Sequence, residues 1–483
     1  MKNFLKLKPL VQRSGERSEA EQFADLAKIL TNLPIEYWLE HNRKSMFYEN
    51  ATCAPLPSIF ELEYNNMYWQ TLFTSNGTFQ LLSAFYDIRN ASKIGPAVRI
   101  LGVIDRVDPT VKTYCQFWFE DTNSPLLVST MELKYMWLKE WGVYNHLYQP
   151  YVMTCQIPRE YHSRIPSSVS MVEQPCDTAT NNLKIHFNKP AKKTDFAVCV
   201  KGLDLLHEDL SVRLVEWIEL VRILGANKIF FYEFYVHPNI SKVLRYYEEL
   251  GMVSVTPLTL PGGQPNIPGF QHIYLYERET YKRLNELIPI NDCFYKNMYS
   301  YEYIAVFDID EVIIPVKTKD WRELLDVVIA KSLQLNNKSS AGYEVRNVFF
   351  MDDVNHAHDW SASIPKYMHM LQHVNRSRDF DPEGYSVKSF HNTEMAFTIH
   401  NHYVLSCLSE DCTSYPIDPN DAQLQHYRLD CFRKRRSTCT PLRSKVTRDT
   451  LIWRYKDELI ARTTDTLRRL GFFSKPPGVP VGT

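Results

Sequence analysis

Between Ser58 and Pro158 short aromatic and β-branched runs alternate with turn residues: Thr78–Tyr86, Ala97–Ile104, Thr113–Phe119 and Tyr151–Ile157. Evenly spaced short apolar runs predict a small all-β module, placed at residues 46–160. Residues 1–45 are polar apart from an amphipathic stretch near Glu19–Leu33 and read as a tail or stem. Residues 161–194, rich in Ser, Pro, Asn and Lys, read as a linker.

From Asp195 the period changes. Phe196–Val200 reads as a buried strand, and Ser211–Leu224 carries Leu214, Ile218 and Val221 at helical spacing before Gly225, a helix stop. Strands over Lys228–Val236 and Met252–Leu260 flank a helix over Lys242–Leu250 that ends at Gly251. A helix over Thr280–Ile288, a second near Asn291–Tyr299 and the strand Tyr303–Phe307 follow. Alternating strands and helices predict an α/β domain at 195–475 with a mainly parallel sheet.

Charge is nearly balanced, 55 basic against 56 acidic residues, which argues against nucleic acid as a partner. The run Arg433–Arg436, bracketed by Cys431 and Cys439, reads as a solvated loop. The ten cysteines include no CxxC pair, so structural zinc is not expected. Six Asn-x-Ser/Thr sequons (Asn50, Asn76, Asn90, Asn239, Asn337, Asn375) with an even cysteine count point to an oxidising secretory compartment. Cys115 and Cys155, on neighbouring predicted strands, are expected to pair. No apolar run reaches signal-peptide or membrane-span length. The expected location is the Golgi lumen, with membrane attachment only through an anchor that this sequence does not display. Oligomeric state is not legible.

YIAVFDIDEVIIP carries the chemistry. A buried strand, Tyr303–Phe307, runs straight into Asp308, Asp310 and Glu311. Ligands of α/β sheets bind beyond the carboxyl ends of the strands. Acids gathered there repel one another unless a cation compensates. Asp308 and Asp310 are two apart, point the same way in extended backbone and can share one ion. Oxygen ligands with a diphosphate suit Mn²⁺ or Mg²⁺. Two enzymatic readings share this string. In a haloacid-dehalogenase-like phosphohydrolase Asp308 would be the nucleophile, but such enzymes open their sheet with this strand, whereas three strands precede it here. Nucleotide-sugar transferases of the GT-A fold place the motif late, as here. A third reading, from another class, is a non-catalytic glycan-binding protein on a transferase fold.

The ordered series AVCVKG, VEWIELVRILGANKIFFYE, RYYEELGMVSVTPL, Asn291–Tyr295, AVFDIDEVIIP, KSFHNTEMAFTIHNH and LQHYR resembles glycosyltransferase family 92, the animal galactosyltransferase-like group. The resemblance implies a GT-A-like domain and an inverting hexosyl transfer, with UDP-galactose as donor and a glycan or glycoprotein as acceptor. It implies that Asp308 and Asp310 bracket the metal ion on the donor diphosphate. His400 and His402 alternate on a predicted strand, and His400 is favoured as a further ligand. His426 and Arg428 are placed on the diphosphate, Arg428 through its fork of donors. Lys201 and Gly202, just after the first strand, are placed near the nucleotide. Among Glu344, Asp352, Asp353 and Glu394, the pair Asp352 and Asp353 is chosen as the base that deprotonates the acceptor.

Overall fold

A computed structural model describes residues 17–45, 53–122, 124–356, 360–410, 412–429 and 443–473. Cys431, Cys439, Asn50 and the run Arg433–Arg436 lie outside them. Over residues 17–45 the expected tail is two helices, Glu19–Ile29 and Ile35–Ser45. Ser18 and Glu21 close a capping box on the first. Leu33, Ile35 and Trp38 bury against Ile59 and Leu62, and Tyr37 Oη donates to the Phe119 carbonyl at 3.1 Å. These helices are docked rather than free, because their apolar stripe has a partner surface.

The β-rich module is a nine-stranded, largely antiparallel sheet with Gly77–Asp87, Ala97–Ile104 and Gln149–Gln156 side by side at its centre. The expected linker supplies two of its strands, Ser168–Val172 and Leu183–His186. Their polar texture misleads because the buried polar groups are satisfied inside. The Asn181 amide both accepts from and donates to the Met171 backbone, at 2.8 Å each way.

In the second domain seven strands order as Val253–Pro257, Ala226–Val236, Thr194–Leu205, Tyr301–Phe307, Lys388–Asn392, Gly342–Val345 and Ser414–Ile417. The first four run parallel. Lys388–Asn392 is antiparallel to both its neighbours, while Gly342–Val345 and Ser414–Ile417 pair in parallel, so the sheet is mixed, with the antiparallel strand interrupting the expected parallel order. Helix Ser211–Ile223 is buried on most sides around Trp217 and ends at Gly225, whose φ of 119° suits glycine alone. The second helix starts one turn earlier than expected, at Pro238 behind the cap His237.

One helix, Glu279–Asn297, replaces the two expected on either side of Pro289. Proline normally breaks a helix, but here Leu284, Leu287, Ile288, Ile290 and Phe294 are all buried. Packing on both sides outweighs the one lost hydrogen bond. This helix lies in a core shared by both domains: Leu82, Phe85 and Leu101 from the β-rich sheet, Ala197, Cys199 and Val306 from the mixed sheet. At its centre Asp292 accepts from Ser83 Oγ at 2.6 Å and from the Tyr232 hydroxyl.

Among the described residues four disulfides are present: Cys53–Cys176, Cys115–Cys155, Cys199–Cys293 and Cys407–Cys412. Cys115–Cys155 has the expected partners and spans 40 residues of sequence. A loop of that length predicts a loss of about 4 kcal/mol in a Cys115→Ala/Cys155→Ala double variant. Urea unfolding followed by circular dichroism measures it.

Candidate active site

The strand Tyr301–Phe307 is buried except at Glu302, and the chain then turns through Asp308–Asp310 into the strand Glu311–Pro315. The turn is closed on itself: Asp308 N–H donates to Glu311 Oε2 at 3.2 Å, and Glu311 N–H to the Asp308 carbonyl at 3.1 Å. Oxygens of Asp308, Asp310 and Glu311 all lie within 4.8 Å of one another. Such a cluster needs positive charge nearby, and two lysines supply it. Lys201 Nζ lies 3.0 Å from Asp308 Oδ1 and 3.1 Å from Glu286 Oε1. Lys388 Nζ, with no exposed side-chain surface, lies 3.4 Å from Asp308 Oδ2 and 2.8 Å from Glu311 Oε2.

The electrostatics separate the three acids. Burial pushes the Asp308 carboxyl up, but Lys201 and Lys388 outweigh it and hold it well below the usual carboxylate range. Burial raises Glu311 despite Lys388. Asp310 is the open one, its side chain 45% exposed, with His426 Nε2 3.4 Å from Oδ2. His426 Nδ1 lies 3.4 Å from Glu311 Oε1. Burial alone would lower this imidazole, yet Glu311 and Asp310 raise it. An oxygen-rich cluster with one exposed carboxylate and an adjacent imidazole fits a hard divalent ion.

A three-stranded sheet gathers the other predicted residues. Glu311 pairs with His426 in antiparallel register, and Met351 pairs with Arg428 in parallel register. The acid turn, His426–Arg428 and the residues after Met351 therefore share one end of the sheet. Tyr427 N–H donates to the Asp310 carbonyl at 2.8 Å and fixes that end. Beyond Met351, Asp353 is ion-paired with Arg443. Asp352 Oδ1 faces His369 Nε2 at 3.0 Å and His373 Nε2 at 3.2 Å, while Arg213 Nη2 approaches Oδ2 at 3.4 Å. Burial lowers both imidazoles, His373 to about 4. The His369 ring lies 6.1 Å from that of Tyr427, whose N–H holds the Asp310 carbonyl, so this group neighbours the acid turn.

Two predicted residues fall elsewhere. Strand Ala396–Ile399 ends before His400, which lies in a turn with its N–H donating to the Tyr403 carbonyl at 2.8 Å. Its ring packs 4.8 Å from that of Trp141. Burial, then His402, Lys388 and Lys201, hold it well below the usual range. Neither of the two metal-capable clusters among the described residues includes it. Gly202 is explained by packing, since a Cβ there would sit 2.6 Å from the Phe234 ring. Lys201 is not a free point charge after the strand. The strand runs on to Leu205, and the lysine is tied to Asp308 and Glu286.

Sequence reading missed Lys388, Glu286, Glu216, His369 and His373. The last two carried a signal, the spacing His-x-x-x-His in HMLQH. Glu216 had none. Its carboxylate accepts from the backbone N–H groups of His369, Met370 and Leu371 at 2.6, 3.0 and 3.2 Å, and burial raises it to about 7.

Residues 194–463, more than half of the chain, match glycosyltransferase family 92. The chain belongs to this family. Membership makes it a glycosyltransferase and implies a nucleotide-sugar donor and a glycan acceptor. It sets aside the phosphohydrolase reading, and both carboxylate oxygens of Asp308, the would-be nucleophile, already face lysines. No curated protein matches the chain. Among solved structures it is similar to S. aureus TarS 1–349, with 11% identity over 60% of this chain and 76% of that one, at a TM-score of 0.24.

Two outcomes follow for this family 92 site. Lys388→Met strips Glu311 and Asp308 of a buried partner and is expected to cost roughly 3–5 kcal/mol, read by urea unfolding. Glu216, with its folded value near 7 against an ordinary 4.5, holds a proton that the unfolded chain releases. The stability it contributes is complete below about pH 4.5 and is lost as pH rises through about 7. Urea midpoints at pH 5 and pH 8 should therefore differ less in Glu216→Gln than in the wild type.

Proposed function

We propose that this family 92 chain transfers a hexose, with inversion, from a nucleotide sugar to a glycan acceptor, assisted by Mn²⁺ or Mg²⁺. The observation that carries the reading is the contrast inside the acid turn. Asp308 and Glu311 are neutralised from within by Lys201 and Lys388, whereas Asp310 is open beside His426. Asp310 would hold the ion, with Asp308, Glu311 or His426 completing the protein's share. Such an ion neutralises charge that develops on the leaving nucleoside diphosphate. Lys201 and Lys388 keep the turn folded while Asp310 faces outward, and Arg428, at the same strand end, offers a fork of donors to phosphate oxygens.

The acceptor side is assigned to Asp352 with His369 and His373, which takes up the hydroxyl proton as the new glycosidic bond forms. Galactose from UDP-galactose is the donor that the family resemblance suggests. A Golgi-lumenal setting is supported by the four disulfides, which pair every described cysteine. Among the described residues no helix is long and apolar enough to cross a membrane.

A panel of sugar nucleotides, with and without Mn²⁺, tests the reading. Wild-type protein should release nucleoside diphosphate from one donor in a metal-dependent manner and slowly even without acceptor. Asp310→Asn should lower that rate at least about 100-fold with unchanged thermal unfolding. Release of inorganic phosphate instead, or no turnover of any donor, would exclude it.

A further inference from the structure

We propose that Asp352, His369 and His373 form a second metal site, for a divalent transition ion of the zinc class, separate from the acid turn. The proposal goes beyond the transferase reading and does not depend on turnover. Its donor set is two imidazole nitrogens and one carboxylate oxygen. That is the three-ligand composition of open zinc and non-haem iron sites, which leave further positions for water or substrate. The acid turn offers oxygens and selects hard ions, so the two sites differ in chemistry and share no residue.

Sequence and local structure prepare the ligands. His369 and His373 are four apart across the helical turn His369–Gln372, so both imidazoles project from one face. Their ring centroids are 4.0 Å apart. The turn is anchored by the Glu216 carboxylate, which accepts three of its backbone N–H groups. Asp352 approaches from the end of the strand Asn347–Met351, and Arg213 occupies its Oδ2 side at 3.4 Å. The other oxygen, Oδ1, is left to face the two rings.

The hydrogen bonding then requires a cation. His373 Nδ1 lies 2.6 Å from the His369 carbonyl oxygen. A carbonyl only accepts, so Nδ1 carries the hydrogen and Nε2 of the neutral ring presents a lone pair. That lone pair faces Asp352 Oδ1 at 3.2 Å, and two acceptors in contact repel unless positive charge lies between them. A backbone carbonyl fixing the far nitrogen is also the arrangement by which metal-bound histidines are oriented. The spacings suit an ion: ligand atoms bonded at about 2.1 Å lie roughly 3.0 Å apart around an octahedral centre and roughly 3.4 Å around a tetrahedral one. The contacts from Oδ1 to the two Nε2 atoms, 3.0 and 3.2 Å, fall in that range. Side-chain exposures of 21%, 9% and 4% for Asp352, His369 and His373 give a buried pair of nitrogens with an opening at the carboxylate.

In the transferase this ion would lie on the acceptor side and take the place of proton uptake by the metal-free side chains: a hydroxyl bound to it would lose its proton to solvent more readily than in water. The test reads binding rather than activity. Full-length protein is stripped with chelator and titrated with Co²⁺ by visible absorption and with Zn²⁺ by calorimetry. Wild type and Asp310→Asn should each bind one Zn²⁺ with nitrogen coordination, seen as Co²⁺ ligand-field bands. His373→Ala and Asp352→Asn should weaken that binding at least tenfold while Mn²⁺ binding at the acid turn persists. Two separate variants guard against one that fails to fold, and thermal unfolding identifies such a case. No Zn²⁺ binding by the wild type would overturn the site and leave a proton as the shared cation. So would binding lost in Asp310→Asn but kept in His373→Ala.

Discussion

The site rests on how acids at the end of a buried strand are neutralised. Three carboxylates with oxygens within 4.8 Å of one another, Glu311 buried and Asp308 largely so, need counter-ions to remain charged. Lys201 comes from the first strand of the mixed sheet, and Lys388 from the antiparallel strand on the far side of Tyr301–Phe307. The acid turn is thus clamped from both sheet neighbours. Because the two lysines settle Asp308 and Glu311, Asp310 is left half-exposed with His426 beside it.

The clamp depends in turn on the shared core. Lys201 is held on its other side by Glu286, which belongs to the helix Glu279–Asn297 between the two domains. That helix survives Pro289 only because the β-rich sheet covers one side of it and the mixed sheet the other. The N-terminal module is therefore part of what positions the acid turn. Its central strands contribute Leu82, Phe85, Leu101, Val103 and Val152 to the core around that helix, whereas the two strands drawn from the expected linker pack in the module's own core through Val169, Met171, Leu183 and Ile185.

On the other flank, burial organises a different chemistry. Glu216, inside the helix Ser211–Ile223, anchors the short turn that carries His369, and the same helix supplies Trp217, whose Nε1–H donates to the Glu311 carbonyl at 2.8 Å. One helix thus holds both the acid turn and the histidine turn. Their relative placement follows from a single, largely buried helix.

What the sequence by itself determined is what local pattern encodes. Alternation and helical spacing gave the β-rich module, the helix ending at Gly225 and the buried strand leading into Asp308. The ordered series of motifs gave the family. Cys115 and Cys155 pair as expected, although their strands are not neighbours in the sheet and the bond instead links them through a common core. Tertiary structure alone decided what depends on distant neighbours. Lys388 is 80 residues from Asp308 and looks like an ordinary strand-leading lysine until the sheet brings it in. Glu216 and His369, 153 residues apart, have no local relation at all. Pro289 reads as a break, and only burial on both sides keeps the helix whole. The alternation that made His400 and His402 look like one strand face is a turn, closed by a hydrogen bond to Tyr403. Local periodicity reports backbone preference and burial. Charge compensation and ligand geometry are set by which surfaces the fold presses together.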